Sequence, residues 1–384
     1  MSDSRHAAGH VRFPFRRFPR ALGTAFAIAA TALALLQVPA HADTLPDPAP
    51  AIAATLDQLI LPAHRQLQTT AAATSAAIDA LCAAPAPGTL TEARSRFRDA
   101  VQAFSAIEVY RFGPARDENR FERLFFWPDR RGRGLRQVAN LMRDPDPTAL
   151  NPDTLYDKSV AVQGLLALDY VLSNDDSVLT HPDACRYAMA IAQTIQVNAG
   201  RLLQGWTGDG KGPEGFAALM RRPGPENPIF RDEPEVLRTI LDHARTQLQT
   251  ALTLKVDPAL NGASSPGPDD LRPKRLPFWR SGADLTAIVA NVQAVEDLFG
   301  EHGLALAAPE AARPLLQELH FELDSALSAL RRADDQPGAW PASGDAVGLL
   351  AYSRLPLSGA LDILTDRLPP AMGLIAGFNA LDGD

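Results

Sequence analysis

The stretch SVAVQGLLALDYVL, Ser159 to Leu172, indicates the fold of this chain. Apolar side chains cover nearly every face of it, which is typical of a helix buried inside a bundle. Its length allows about four helical turns. Two residues break the pattern. Asp169 needs hydrogen bonds, a cation or a raised pKa in such surroundings, and Gly164, a poor helix former, indicates that something approaches its backbone closely.

Apolar residues recur at helical spacing through most of the remaining chain, and no stretch alternates with period two between turns. We therefore expect essentially no sheet. The predicted helices cover residues 52–84, 91–112, 135–143, 159–172, 182–206, 234–256, 281–302, 309–333 and 346–368. A run rich in Gly and Pro at 207–232 is typical of a linker. The sequence predicts an all-α chain with one helical bundle at 43–206 and another at 233–384.

A repeat at an offset of 127 residues relates the two predicted bundles. It aligns Asp169 with Glu296, and the loop PDACR at 182–186 with PEAAR at 309–313. This pattern predicts two related up-and-down bundles, each with one carboxylate on its central helix. Chance similarity between Ala-rich helices is the alternative interpretation.

Residues 1–42 differ in composition from the rest of the chain. Five arginines precede the apolar run Ala21–Val38, and Ala40-His41-Ala42 follows it. This is the charged, apolar and small-residue order of a cleaved secretory signal peptide. We expect export to the periplasm or cell envelope, removal of residues 1–42 and no transmembrane anchor afterwards.

The predicted mature chain is acidic. Without residues 1–42 it has 32 basic and 44 acidic side chains, a net charge of −12. This excess argues against nucleic acid or an anionic membrane as a partner and is compatible with cation handling. Cys82 and Cys185 make a disulfide plausible in an oxidising compartment. An antiparallel helix order puts both at one end of the bundle, which permits the Cα spacing of about 7 Å or less that a disulfide needs.

Catalytic signatures are absent from the sequence. There is no zinc-cluster cysteine spacing, HExxH motif or GxSxG elbow, so we predict no catalytic residues. Glu108 and Arg111 lie three residues apart near a helix end. This spacing fits an ordinary intrahelical ion pair as well as it fits a ligand site. The loop at 114–136 interleaves charges with aromatic residues. It could frame an anion or flat ligand, or act as a cap that plugs the bundle end.

Two further positions have ordinary structural interpretations. Ser281 and Asp284 have the spacing of a capping box, which predicts a helix start. His64 could lie level with Glu108, but a single histidine on a helix is more often a surface or capping residue than a ligand.

Four ordered blocks carry a family resemblance. They are RFGPARDENRFERLFFWPDRRGRGLRQV (111–138), SVAVQGLLALDYVL (159–172), RLPFWRSGADLTAIVAN (275–291) and GFNALDGD (377–384). Together they resemble the imelysin family, whose exported members are also classed with M75 peptidases and include iron-regulated proteins. The resemblance implies two related helical bundles, a cell-envelope location and a role in the uptake of metal, chiefly iron.

The family motif GxHxxE places His and Glu on one helix face, where both could bind a metal ion. On this sequence it starts at Gly164, with Leu166 at the histidine position and Asp169 at the glutamate position. Leucine cannot coordinate a metal, and a lone aspartate needs ligands from other helices. Metal-assisted hydrolysis uses about three protein ligands, so the resemblance gives little support for peptidase activity in this chain.

The resemblance therefore implies a non-catalytic binding or accessory component of iron or metal uptake. Its ligand would be iron, another divalent metal or a small molecule, and its partners envelope proteins of an iron-uptake system. The candidate ligand-binding residues are charged residues in or beside the four blocks: Glu108, Arg111, Asp129, Arg136, Asp169 and Arg280, with Asp169 and Glu108 as metal ligands. One alternative is an M75-type metallopeptidase acting on envelope proteins. Another is that Asp169 and Glu296 are structural, each paired with an arginine.

Overall fold

The structure is a computed structural model that describes residues 46–210, 214–263, 265–335 and 340–374. These residues contain helices and connecting turns, and within them the only β-type pairing is an isolated bridge between Gly208 and Glu214. The prediction of an all-α fold is confirmed. The predicted signal peptide at 1–42 and the block GFNALDGD lie outside the described residues.

The long helices are α1 (Leu61–Ala83), α2 (Pro87–Ile107), α3 (Arg133–Arg143), α4 (Leu165–Ser173), α5 (Pro182–Thr207), α6 (Glu233–Gln249), α7 (Asp284–Phe299), α8 (Arg313–Asp334) and α9 (Gly344–Asp362). Shorter helices are Ala49–Ala54, Arg120–Leu124, Pro152–Leu155, Ser177–Thr180, Phe216–Arg221, Asp257–Ala259 and Leu368–Ala371. Three π-helical turns, Thr55–Ile60, Thr250–Val256 and Ile363–Arg367, adjoin α1, α6 and α9. Such turns widen a helix locally and often mark functional regions.

Two groups of helices share one core. In the first group α1 packs against α2 and α5, and in the second α8 packs against α7 and α9. The groups meet where α2 packs along α7, and the described residues form one compact unit. The described residues of the segment 207–232 contribute to this core, since Met220 and Phe230 are buried and the Phe216 ring lies 5.4 Å from that of Trp206. The division into two domains at this segment stays a prediction.

The stretch that includes Asp169 is not one continuous helix. Val160–Val162 forms a 3-10 turn, and α4 begins only at Leu165. Gly164 between them has φ +81°, and a Cβ there would lie 2.3 Å from the carbonyl oxygen of Arg123. The close approach expected at Gly164 is confirmed, but the four-turn helix was wrong because this crossing forces the chain out of helical geometry. In the repeat Gly164 aligns with Asn291, which lies inside α7, so the duplication stays a prediction.

A disulfide joins Cys82 near the end of α1 to Cys185 in the first turn of α5, with their Cα atoms 5.6 Å apart. It links two antiparallel neighbours of the first group at one end. A covalent link across 103 residues of sequence restricts the unfolded chain and thereby favours the folded one.

Residues 344–371 form a helical segment that is long and apolar enough, by length and composition, to cross a membrane. Within the described part of the chain no other helix meets that test. Core helices of soluble proteins meet it too, and α9 packs along α8 with Leu350 and Leu357 buried.

Candidate functional site

A pocket of about 620 Å³ forms where three segments meet. Leu166 and Asp169 reach it from α4, Phe126 to Arg130 from the loop before α3, and Lys274 to Arg280 from the loop before α7. Leu254, in the π-helical turn after α6, completes one side. The pocket therefore brings together Asp129, Asp169 and Arg280 from the predicted site.

Asp169 connects α4 to the loop before α7. Its carboxylate is 1% exposed and accepts a hydrogen bond from the backbone N–H of Ser281 at 3.2 Å. Burial raises the pKa of Asp169 to about 6, although the hydrogen bond from Ser281 and the charge of Arg280 oppose this rise. A carboxylate in this position holds together segments 112 residues apart in sequence.

The capping box predicted at Ser281 and Asp284 was wrong. The hydroxyl of Ser281 donates to the carbonyl oxygen of Phe278 at 3.0 Å, and α7 begins at Asp284 after Ala283. Ser281 is therefore used within the loop, where Phe278 adopts φ +60°. Asp284 accepts a hydrogen bond from Nε1 of Trp340 at 3.0 Å.

Arg280 is half-buried beside Asp169 without forming an ion pair with it. Its guanidinium carbon lies 4.4 Å from the ring centroid of Trp279 and 5.1 Å from that of Tyr170. The Nε atom is buried and has no hydrogen-bond partner among the described residues. Desolvation lowers the pKa of Arg280, and the charge of Asp169 partly compensates. Such a buried, unpartnered donor can be satisfied by an acceptor on a ligand.

Asp129 has a structural role at the edge of the pocket, as a cap of α3. Its two carboxylate oxygens accept hydrogen bonds from the backbone N–H groups of Arg133 at 2.9 Å and Leu135 at 3.1 Å. The carboxylate therefore caps the first turn of α3, where the helix dipole favours negative charge. Both oxygens are thus used within the protein.

The two other predicted arginines do not line the pocket. Arg111 is exposed, with its guanidinium 2.7 Å from Glu122 and 4.2 Å from the centroid of the Phe121 ring. Arg136 is exposed on α3. Arg111 therefore pairs with Glu122 rather than with Glu108.

Glu108 belongs to a buried polar cluster rather than to the pocket. It is 7% exposed, and its Oε2 accepts hydrogen bonds from Lys255 Nζ and Asn291 Nδ2, both at 2.9 Å. Lys255 is 1% exposed and also donates to Asn291 Oδ1 at 2.5 Å. This cluster joins the end of α2 to the turn after α6 and to α7. Glu108 and Asp169 therefore do not come together as the predicted pair of metal ligands.

Lys255 was not among the residues predicted from the sequence. A signal was present, because Lys255 interrupts the apolar run ALTLKV at 251–256 just as Asp169 interrupts its own. Its ammonium also lies 5.7 Å from the ring centroid of Trp127, which lines the pocket. The buried cluster thus adjoins one wall of the pocket.

The residues around Asp169 do not fit a protein-bound metal ion. Leu166 at the histidine position of the motif offers no donor atom, and the oxygens of Asp129 are occupied. Within the described ranges no group of three His, Cys, Asp or Glu side chains could hold a metal ion. Stable sites of this kind use several such donors together.

Two other residues named from the sequence are structural. Glu296 pairs with His320, Oε1 to Nδ1 at 3.2 Å, and not with an arginine as the structural alternative expected. His64 is buried rather than on the surface, and burial lowers its pKa to about 4. Its Nδ1 lies 2.7 Å from the carbonyl oxygen of Ile60.

The raised pKa of Asp169 predicts a pH-dependent stability. The folded protein binds this proton more tightly than the unfolded chain does, so its contribution is fully present below about pH 4 and is lost as the pH rises through about 6. Asp169→Asn cannot ionise. Its free energy of unfolding should therefore rise relative to wild type by up to roughly 3 kcal/mol between about pH 4 and pH 7. Urea unfolding at a series of pH values measures this difference.

Burial also raises the pKa of Asp284 to about 6. Asp284 is present in both proteins, so its effect on stability cancels in the difference between them. The exposed Asp157→Asn, which also removes one carboxylate, serves as the matched control. Parallel pH curves for Asp169→Asn and wild type would contradict the assignment of a raised pKa to Asp169.

Comparisons with known proteins agree with this fold. An imelysin-like protein from Psychrobacter arcticum 273-4 superposes with a TM-score of 0.71 at 17% identity, covering 87% of this chain and 100% of that one. A protein from Parabacteroides distasonis ATCC 8503, assigned as an iron-regulated protein A precursor, superposes with a TM-score of 0.66 at 16% identity, covering 85% and 96%. No curated protein matches the sequence significantly.

The profile of the family Peptidase M75, described as imelysin, matches residues 60–353. That span includes α1 to α8 and about half of α9, and with them all the residues that line the pocket. This chain belongs to the imelysin family.

Proposed function

We propose that this protein is an exported, non-catalytic binding or accessory component of iron acquisition, with the pocket around Asp169 as its ligand site. The observation that carries the proposal is the pocket of about 620 Å³ at the segment that aligns with the family motif. The signal-like composition of residues 1–42 supports export, and a structural relative assigned as iron-regulated supports the link to iron. Envelope proteins of an iron-uptake system would be its partners.

The chemistry of the pocket favours binding over metal-dependent hydrolysis. Such hydrolysis uses about three protein ligands and an open position for water. Leu166 offers no donor atom, and both carboxylate oxygens of Asp129 accept hydrogen bonds from backbone amides. Asp169 is the other carboxylate of the pocket lining, and a backbone amide, that of Ser281, donates to one of its oxygens. The aromatic and cationic side chains that remain are suited to holding a molecule in place.

A gene-deletion experiment tests the proposed function. Under iron starvation we expect deletion to lower the uptake of radiolabelled iron and the wild-type gene to restore it. Arg280→Glu should fail to restore uptake, because it reverses the charge beside Asp169. The exposed Arg98→Glu should restore it fully and serves as the matched control.

Unchanged uptake in the deletion strain would refute the proposal, and so would an uncleaved protein retained in the cytoplasm. Purified protein tests the peptidase alternative directly. Chelator-sensitive digestion of casein, lost in Asp169→Ala, would favour that alternative instead.

A further inference from the structure

We propose that the pocket binds a flat organic anion, either free or as the organic shell of an iron chelate, and not a bare metal ion. The inference rests on the proposed function for the location of the site. The class of ligand is argued from the charges, rings and unpartnered groups of the pocket itself.

The pocket is cationic although the chain is acidic. Arg130, Lys274, Arg275 and Arg280 line it, and in the described part of the chain none of these four pairs with a carboxylate. Arg130, Lys274 and Arg275 are exposed, whereas Arg280 is half-buried. Unpaired cations around one cavity attract an anion and discriminate against a cation.

The two acids of the pocket offset only part of this charge, because two carboxylates stand against four cations in the lining. Asp129 uses both carboxylate oxygens for the backbone of α3. Asp169 is 1% exposed and accepts its hydrogen bond from the backbone of Ser281. A bare metal ion would exchange its water shell for one buried carboxylate beside a guanidinium, which is an unfavourable exchange.

Aromatic rings supply flat surfaces for the body of the ligand. Trp127 and Trp279 line the pocket and are half-buried, so part of each ring is open to solvent. Trp127 stacks on Phe125 at 6.0 Å between centroids, and Phe125 stacks in turn on Phe278 at 5.4 Å. Aromatic rings held in this way favour stacking with another flat group.

Arg280 provides the directional contact for the charge of the ligand. Its guanidinium lies over Trp279, and its buried Nε–H has no acceptor among the described residues. A carboxylate can accept two parallel hydrogen bonds from one guanidinium, which makes arginine the usual partner for such a group. Ring and carboxylate on one molecule would therefore engage Trp279 and Arg280 together.

Calorimetry of the full mature protein tests the ligand class with four probes. They are 2,3-dihydroxybenzoate, its ferric complex, the neutral 2,3-dihydroxybenzamide and anaerobic ferrous ion. We expect the benzoate and its complex to bind. The amide should bind about tenfold more weakly than the benzoate, because it lacks the charge-assisted hydrogen bonds, and ferrous ion alone should give no heat of binding.

Variants separate charge from folding. Arg280→Gln should weaken benzoate binding about tenfold and leave amide binding unchanged, while Arg280→Lys restores part of the loss. The exposed pair Lys274→Gln and Arg275→Gln should reduce the salt dependence of benzoate binding. Arg98→Gln, exposed on α2, is the matched control and should bind as wild type does.

Equal affinity for the benzoate and the amide would overturn the inference, and so would an Arg280→Gln variant that binds as wild type does or saturable binding of ferrous ion. The two proposals fail separately. If neither benzoate nor complex binds while Arg280→Glu still fails to restore iron uptake, the ligand class is wrong and the function stands. If both bind while deletion leaves uptake unchanged, the function is wrong and the ligand class stands.

Discussion

Lys255→Met should lower the free energy of unfolding by about 3 to 5 kcal/mol, because it leaves a buried carboxylate without its cation. Glu108 is 7% exposed, and Lys255 Nζ lies 2.9 Å from its Oε2. Asn291 Nδ2 is a neutral donor and cannot replace the charge. Urea unfolding followed by circular dichroism measures the loss.

The double variant Glu108→Gln with Lys255→Met should recover most of this stability. It removes both charges, and replacing a whole buried pair with neutral groups is often close to neutral. Lys158→Met is the matched control, because Lys158 pairs with Asp146 at 2.7 Å on a more exposed surface and should cost much less stability than Lys255→Met. Equal losses of unfolding free energy for Lys255→Met and Lys158→Met would show that burial of the Lys255–Glu108 pair does not raise the cost of removing its cation.

Gly164→Ala should cost at least about 3 kcal/mol, since it adds a steric clash to backbone strain. The new Cβ would lie 2.3 Å from the carbonyl oxygen of Arg123 and 2.6 Å from that of Leu124. Both atoms are backbone, so no side chain can rotate away to make room. Relief requires α4 to move, which would also displace Leu166 and Asp169 in the pocket. Urea unfolding gives the energy, and near-ultraviolet circular dichroism reports the shift of nearby aromatic residues.

Gly262→Ala separates the two causes of this loss. Gly262 has φ +74°, close to that of Gly164, but no atom of the described residues lies within 4 Å of a Cβ built there. Its cost should be that of the left-handed backbone alone, about 1 to 2 kcal/mol. A loss for Gly164→Ala no greater than that for Gly262→Ala would show that the crossing with Arg123 and Leu124 can relax freely.

Local patterns in the sequence predicted the helices and the unusual residues within them. Apolar spacing reflects the 3.6-residue period of a helix, so the all-α class could be inferred without knowing any partner. Gly164 and Asp169 stood out because each is costly inside an apolar helix unless a neighbour explains it. Four blocks of sequence then indicated the family that the profile match confirms.

The same local patterns failed where a side chain had more than one possible partner. Ser281 had the spacing of a helix cap but bonds within its own loop, and its backbone holds Asp169 from 112 residues away. Arg111 was three residues from Glu108 but pairs with Glu122. Glu108 instead meets Lys255, 147 residues further along the chain.

The sequence by itself therefore determined the helical class, the family and the positions of Gly164 and Asp169 as exceptions, because each follows from spacing within one segment. Only the tertiary structure decided which charges are paired, which are free and which line the pocket with Arg280. A side chain's partner depends on how distant segments pack in three dimensions. No spacing along a single helix contains that information.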